Sequence, residues 1–543
     1  MKVIAACTVD FERGALGTRA RLEEDLLGET ILRRTIRRLL SARQLASIHL
    51  LVKASQRQRA EKAVAGLNVN IETHDAQPVP WQSYVATARK WTADAWRGGL
   101  AGTCVFDETA HPWLLEALAK KENADGIADI PPAACLIDPA LLDDMIEHYA
   151  EVHQQVRMTF TQSAPGLSAA IYAPALLADL VATNQWPGRL MAYNPANPAR
   201  DMVMLPCFYA PQTEVRHAAG RCIADTDTAI ERIRSILKNA GTAPDAVTIS
   251  RMLIDQRFQT TTSLPTEVEI ELTTEDSLAD TTLRPRGNIL GRSASMTTDL
   301  FDRLIDELAG RDDIRIVLGG FGDPLTSPHL DHCLQKCRNA EIFGLAVRTP
   351  AVNMDDETLN ALFDARVDVL NILLDAATAD TYRLLHRADH FDRVTANIDR
   401  ISQMHQTRKQ PQPLIVCEMT KTDATLSEME AFYDHWGSRT GSALIVAPST
   451  YGDQFPDLSV MNMAPPTRTA CERIFNRAII LADGRVPLCD QDFVGRHLAG
   501  SLADQTLASI WTGQTMRDLR QRHLENNLDT TPLCRPCTQW HRP

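Results

Sequence analysis

The chain has 543 residues, 44% of them hydrophobic and 23% charged, with a formal net charge of −13. That length accommodates about three domains with full cores, in the composition of a soluble globular protein. The acidic balance excludes nucleic acid as a default partner, no run approaches the roughly eighteen apolar residues of a membrane span, and the first apolar segment is too short for a signal peptide, so the expected setting is the cytoplasm.

In chain order, "KVIAAC" is a short apolar strand. "ETILRRTIRRLLSAR" follows as a helix, with Ile31, Leu32, Ile36, Leu39 and Leu40 on one face. "SIHLLV" and "VNIETH" are the next strands, and the alternation means an α/β layer with a parallel sheet. Between the first strand and helix lies "GALGTRARLEEDLLGETIL", a loop that is either an ordinary turn or a cradle bringing backbone N–H groups to a phosphate. "GTCVFDETAHP" places Asp107 and Glu108 after a short apolar strand, and "RCIADTDTAIERIRSIL" places Asp225 and Asp227 at a helix start. Carboxylates at strand ends suit magnesium beside a phosphate, and Asp225 and Asp227 equally suit helix capping. "MTFTQSAPGL" is either a substrate loop offering Thr159, Thr161, Gln162 and Ser163 or an internal hairpin.

These pieces, in this order over residues 1–240, resemble the sugar-activating nucleotidyltransferases, in particular the cytidylyltransferase (GT-A) type. The resemblance implies a doubly wound domain in which Arg19 meets nucleotide phosphates and Asp107 and Asp225 hold magnesium. The chain departs from that pattern. A lysine usually follows the glycine loop, whereas "RLEEDLLG" carries Glu23, Glu24 and Asp25, which would repel a triphosphate, with Arg21 as a differently shaped cation. Nucleotidyl transfer therefore stands beside a nucleotide-sugar-binding or purely structural role.

Mixed signals and turn residues mark 241–265 as a linker. Over 266–455, six strand signals follow: "EVEIEL", "IRIVLGG", "FGLAVRT", "VDVLNILL", "PLIVCEMT" and "SALIVAP". Helical segments separate them, including "MTTDLFDRLIDELA" with Leu300, Leu304, Ile305 and Leu308 on one face. Strands this apolar are covered on both faces, as in a partial (β/α)6 TIM-type barrel. Order and spacing resemble the radical SAM superfamily, which implies that "LGGFGDPLTSPHL" presents Gly319, Gly320 and Asp323 to the amino group of S-adenosylmethionine.

That family holds a cluster by Cys-x3-Cys-x2-Cys after its first strand. In "EIELTTEDSLADTTLRPRG" those positions carry Asp276, Asp280 and Leu283, or in the neighbouring register Ser277, Thr281 and Arg284. Neither supplies a thiolate, and a [4Fe–4S] cluster requires thiolates. Cys333 and Cys337 share a helical stripe with Leu330 and Leu334, a core face. The barrel is therefore expected not to cleave S-adenosylmethionine, whose binding loses its chelating iron.

Of 12 cysteines, eight are scattered as small buried hydrophobes. Four gather in 456–543: Cys471 and Cys489 flank the hairpin "RAIIL"–"RVPLC", and Cys534 and Cys537 form a knuckle. On spacing alone they suit Zn(Cys)4. With "LASIWTG" and "LCRPCTQW" the segment resembles the SPASM or Twitch cap of radical SAM proteins, which implies one auxiliary [4Fe–4S] cluster on Cys471, Cys489, Cys534 and Cys537.

The resulting expectation is an α/β protein of three parts: a degenerate radical SAM/SPASM chain fused to a nucleotidyltransferase-like domain. It acts on or binds a nucleotide-linked sugar or another small polar metabolite. The rivals are a non-catalytic scaffold or electron-transfer partner serving another protein, and an active sugar nucleotidyltransferase with an inert barrel.

Overall fold

The computed structural model describes every residue except 259–261, 279–281, 462 and 543. Two compact units emerge, Met1–Arg257 and Phe258–Pro543. No helix among the described residues is long and apolar enough to cross a membrane.

The first unit is built on a seven-stranded sheet: β1 (Val3–Val9), β2 (Leu45–Lys53), β3 (Asn70–His74), β4 (Gly126–Asp129), β5 (Met158–Thr161), β6 (Ala170–Tyr172) and β7 (Phe208–Tyr209), in the order β3-β2-β1-β4-β6-β5-β7. β1 runs parallel to both β2 and β4, while β6 is antiparallel to β4 and β5. Nearly every residue of β1 is buried, as a central strand covered on both faces requires. The helix Ile31–Leu39 turns Ile31, Leu32, Ile36 and Leu39 inward; Leu40 lies beyond its end and is exposed.

Two local expectations change, and one reading left open is decided as the internal hairpin. The segment before Asp107 is a 3-10 turn, Val105–Asp107, because the Asp107 carboxylate accepts the Cys104 N–H at 2.7 Å and curls the chain. The strand beside β1 comes instead from "GIAD". "MTFT" is β5, hairpin-paired with β6. The stretch read as a linker contains the helix Ala246–Asp255, capped by Asp245 onto the Thr248 N–H at 2.7 Å and burying Ile249 and Leu253 in the first core.

In the second unit the six expected strands are β8 (Glu267–Glu271), β9 (Arg315–Gly319), β10 (Gly344–Thr349), β11 (Val369–Leu373), β12 (Leu414–Thr420) and β13 (Ala443–Val446). A seventh, β14 (Arg477–Ile480), completes an all-parallel sheet in the order β13-β12-β11-β10-β9-β8-β14. β14 was expected to pair with the "RVPLC" segment. It lies along β8 because Ala478 and Ile480 bury there and Arg477 pairs with Glu267 at 2.7 Å. β15 (Arg485–Pro487) pairs antiparallel with β16 (Leu498–Ser501). The helix Thr298–Leu308 buries Phe301, Leu304, Ile305 and Leu308, with Leu300 at the edge. Leu330, Cys333, Leu334 and Cys337 form the buried face of the helix Leu330–Asn339. Leu507, Ile510, Trp511 and Leu519 from the C-terminal segment share this core.

The glycine run after β9 is a packing device. A Cβ on Gly322 would stand 2.1 Å from the Thr273 carbonyl oxygen and 2.7 Å from that of Glu275. Gly322→Ala should cost about 1–3 kcal/mol in denaturant unfolding. Gly437→Ala, in the interior of the helix Met429–Thr440 with nothing within 4 Å of the new methyl, should stabilise by about 1 kcal/mol.

Candidate functional site

Cys471 precedes the short helix Arg473–Asn476, Cys489 follows β15, and Cys534 and Cys537 sit in consecutive turns, the Cys537 N–H donating to the Cys534 carbonyl at 3.2 Å. All four line one cavity with Arg468, Arg473, His523 and Trp540. Cys471 and Cys534 are buried and the other two half-buried. Burial pushes the Cys471 thiol up to about 11 and the Cys534 thiol up to about 12, so ionising the set demands a cationic centre among the sulfurs. Backbone N–H groups are already aimed at two of them: Gln491 at Cys489 Sγ (3.4 Å) and Gln539 at Cys537 Sγ (3.3 Å). Arg473 is anchored on Asp490 at 2.6 Å and Arg468 on the Cys534 carbonyl at 2.8 Å, which adds positive charge around the cavity.

At the carboxyl ends of the barrel strands lies a second polar assembly. Glu271, at the end of β8, receives the Phe321 N–H (3.3 Å), the Ala482 N–H (2.9 Å) and Arg292 (2.8 Å); burial pushes its carboxyl up to about 7. Glu269 accepts the Gly320 N–H at 3.0 Å. Asp323 is fully buried and accepts from Ser277 Oγ (2.8 Å), Thr349 Oγ1 (2.6 Å) and the Leu325 N–H (3.1 Å). Of the three residues proposed for the amino group of S-adenosylmethionine, Gly319 closes β9, while the Gly320 N–H and the Asp323 carboxylate already have protein partners.

The loop after β8 is wired by ion pairs. Arg284 meets Asp375 at 3.1 Å, and Arg286 lies 3.3 Å from Asp276. Leu283 is buried; Asp280 and Thr281 fall outside the described residues. Arg286 is 1% exposed; its Nε faces Asp276, and its Nη1 has no hydrogen-bond partner. Further in, Arg348 on β10 and Asn371 on β11 converge on Glu418 of β12 at 3.0 and 2.9 Å. The Arg348 side chain stays 34% accessible, and its Nε is unpartnered. Sequence reasoning passed over Glu269, Glu271, Arg348, Asn371 and Glu418. The signal was present as charged or amide residues within the strands, alternating with apolar ones in "EVEIE" and set among apolar ones in "GLAVRT", "VLNIL" and "LIVCEMT", which in a barrel turn inward.

In the first unit, the two carboxylates assigned to magnesium both accept hydrogen bonds from protein groups. Asp107 is 1% exposed and accepts from the Cys104 and Gly188 N–H groups at 2.7 and 2.6 Å. Asp225 accepts from Arg221 Nε at 2.7 Å. Glu108 joins the same network, 2.8 Å from Arg89 and 2.7 Å from Arg221. Arg19 extends into solvent, paired with Glu24, beside a cleft of about 450 Å³ also lined by Phe11, Arg21 and Arg59. The expected repulsive triad is neutralised locally: Glu23 pairs with Arg59 at 2.6 Å, Glu24 with Arg19 and Arg21, and Asp25 accepts the Gly28 N–H at 3.1 Å.

Asp129 is different. It ends β4 beside β1, where the connections leave the sheet in opposite directions, the place at which open α/β sheets form their ligand crevice. It is buried, its Oδ1 has no partner, and burial alone pushes its carboxyl up to about 7. The sequence marks it only as an aspartate closing the apolar run in "DGIADIPP".

Comparison with known proteins matches residues 280–410 to the radical SAM superfamily and residues 471–538 to the SPASM iron–sulfur cluster-binding domain. Both domains are thus present in the chain. An uncharacterized protein of Treponema pallidum (strain Nichols) is 23% identical over 234 residues, which span 42% of this chain and 64% of that protein, less than two thirds of its length. Among solved structures, BtrN in complex with AdoMet and 2-DOIA is 16% identical with a TM-score of 0.34, covering 50% of this chain and 93% of that one. A cytidylyltransferase from Leptospira borgpetersenii is 15% identical with a TM-score of 0.32, covering 47% and 95%. SuiB of Streptococcus suis bound to the precursor peptide SuiA is 10% identical with a TM-score of 0.39, covering 50% and 70%.

Asp129 makes stability depend on pH. Its folded pKa of about 7 lies above the ordinary carboxyl value of 3.8. Its neutral form is therefore stabilising below about pH 4, and that contribution fades as pH rises through 7, up to about 4 kcal/mol for a full three-unit shift. Asp129→Asn, which keeps the shape without the charge, should leave thermal stability at pH 4 nearly unchanged and raise it at pH 8. Asp107, also pushed up to about 7, leaves a residual slope in the variant. An unaltered pH profile would contradict the assignment.

Proposed function

We propose that the chain is a degenerate radical SAM/SPASM protein holding one [4Fe–4S] cluster on Cys471, Cys489, Cys534 and Cys537, with a barrel that does not cleave S-adenosylmethionine. The observation that carries this reading is the loop after β8. Where a radical enzyme needs three thiolates, this loop places Asp276, Ser277, Arg284 and Arg286 in contacts with one another, with Asp323 and with Asp375. The stretch from Cys222 to Cys333 contains no cysteine, so its residues do not fit a cluster. The C-terminal four do fit one: they line a single cavity, and two already receive backbone N–H groups. A cluster there supplies one-electron transfer. Cys489 and Cys537 are its half-exposed ligands and the side on which a protein redox partner would dock.

The polar cluster of Arg348, Asn371 and Glu418 on the barrel strands, with unmatched donors on Arg286 and Arg348, suits a small polar metabolite carrying acceptor oxygens. A second reading concerns the first unit, where Asp129 ends β4 with an unmatched oxygen. That placement favours a nucleotide-linked sugar bound with a divalent cation in the β1/β4 crevice, with nucleotidyl transfer as its active form.

One preparation tests the first reading. Anaerobically purified protein should contain about four irons per chain, lost in Cys534→Ala/Cys537→Ala. The same preparation, reduced and mixed with S-adenosylmethionine, should release no 5′-deoxyadenosine above a heat-killed control. Stoichiometric zinc without iron refutes the cluster, and 5′-deoxyadenosine refutes the reading of the loop. For the second reading, a thermal-shift screen of nucleotides and their sugar conjugates should find a magnesium-dependent stabiliser. At a hundredfold excess over its dissociation constant the gain is about 2.7 kcal/mol, and Asp129→Asn should remove the magnesium-dependent part. If none of the screened compounds stabilises the protein at millimolar concentration, the domain is structural.

A further inference from the structure

One side-chain cluster in the first unit has no part in either reading. His49 on β2, Glu72 on β3 and Glu122 at the end of the helix Pro112–Glu122 bring one ring nitrogen and two carboxylate oxygens within 4.8 Å of one another. Strand register puts the first two together: His49 lies opposite Asn70 and Leu51 opposite Glu72, so His49 and Glu72 are diagonal neighbours on one face of the sheet. The helix end then closes over them.

The histidine is prepared for a ligand. Its side chain is 2% exposed. Ser47 Oγ lies 2.8 Å from Nε2, and when Nε2–H donates to that hydroxyl the lone pair is left on Nδ1. Nδ1 has no hydrogen-bond partner; the nearest carboxylate oxygen, Glu72 Oε1, is 3.7 Å away. Metal-binding histidines show this pattern, one nitrogen oriented by an oxygen and the other open. The carboxylates meanwhile keep lysines as partners, Lys121 at 2.7 Å from Glu72 Oε2 and Lys2 at 3.2 Å from Glu122 Oε2. Those lysine side chains are 58% and 40% exposed and can swing into water.

We propose that His49, Glu72 and Glu122 form a zinc-class metal site, with water in the fourth position and with Lys121 and Lys2 as the cations that the metal displaces. One imidazole and two carboxylates suit zinc better than magnesium or calcium, which favour all-oxygen sites, and the absence of sulfur disfavours copper(I). His49 lies in mid-strand, away from the carboxyl ends of β1 and β4. A metal there would tie β2 and β3 to the helix, in a structural role.

The test uses the full chain with its cysteine centre loaded with iron, so that the C-terminal thiolates are occupied. Zinc is then added, and metal per chain and thermal stability are measured. One equivalent of zinc should bind and raise the melting temperature. Glu122→Gln and Glu72→Gln should each abolish that zinc while iron content stays constant. Lys121→Ala should tighten zinc binding by about threefold or more, because a competing ion pair is gone. A simple histidine–glutamate–lysine network would instead show no zinc, and Lys121→Ala would not create binding. Cobalt provides a check on the ligands: weak visible bands without thiolate charge transfer support the site. A thiolate band, or zinc retained in both glutamine variants, overturns it.

Discussion

A single buried carboxylate joins three parts of the second unit. Glu271 ends β8, receives the N–H of Phe321 after β9 and that of Ala482 after β14, and pairs with Arg292. Its desolvation is costly, and only this complete set of donors offsets it. Because the set spans the first two barrel strands and the strand from the C-terminal segment, the barrel and the cysteine-bearing part form one body. Leu507, Ile510 and Trp511 packing into the barrel core express the same dependence in apolar terms. The four cysteines are held in place by a segment that cannot leave the barrel without uncovering Glu271.

Both units treat charge alike at the positions where related chemistry would need a metal or cluster. In the barrel, arginines and aspartates occupy the loop after β8. In the first unit, Arg89, Glu108, Arg221 and Asp225 form a buried network, and Asp107 is spent on two backbone N–H groups. Such networks are specific more than they are stabilising: removing one partner strands the other, typically at about 3–5 kcal/mol. The groups left unmatched are therefore informative. Asp129, Arg286, Arg348 and His49 each carry a buried polar atom without a hydrogen-bond partner, and Asp129, Arg348 and His49 lie on strands with parallel neighbours.

The periodic features were legible in the sequence. Alternating apolar runs and amphipathic helices predict two α/β layers, the six barrel strands and the core stripe of Leu330, Cys333, Leu334 and Cys337, because burial acts on local pattern. The cysteine quartet was legible for a related reason: four thiols in a short C-terminal span are visible as composition, and the SPASM match covers 471–538. The absence of a cysteine triplet after β8 is likewise a property of the sequence alone.

Tertiary structure decided where each strand and each charge goes. Whether "RAIIL" pairs with its sequence neighbour or with β8, some 210 residues away, depends on which partner buries both of its faces. Nothing local distinguishes Asp107, which closes a turn, from Asp129, which ends a central strand beside β1. Nothing in the sequence pairs Arg284, Arg286 and Arg348 with Asp375, Asp276 and Glu418; the fold brings them together. The physical reason is range: hydrophobic periodicity is written within a few residues, whereas the desolvation of a charge and the identity of its partner are set by chain segments that meet only after folding.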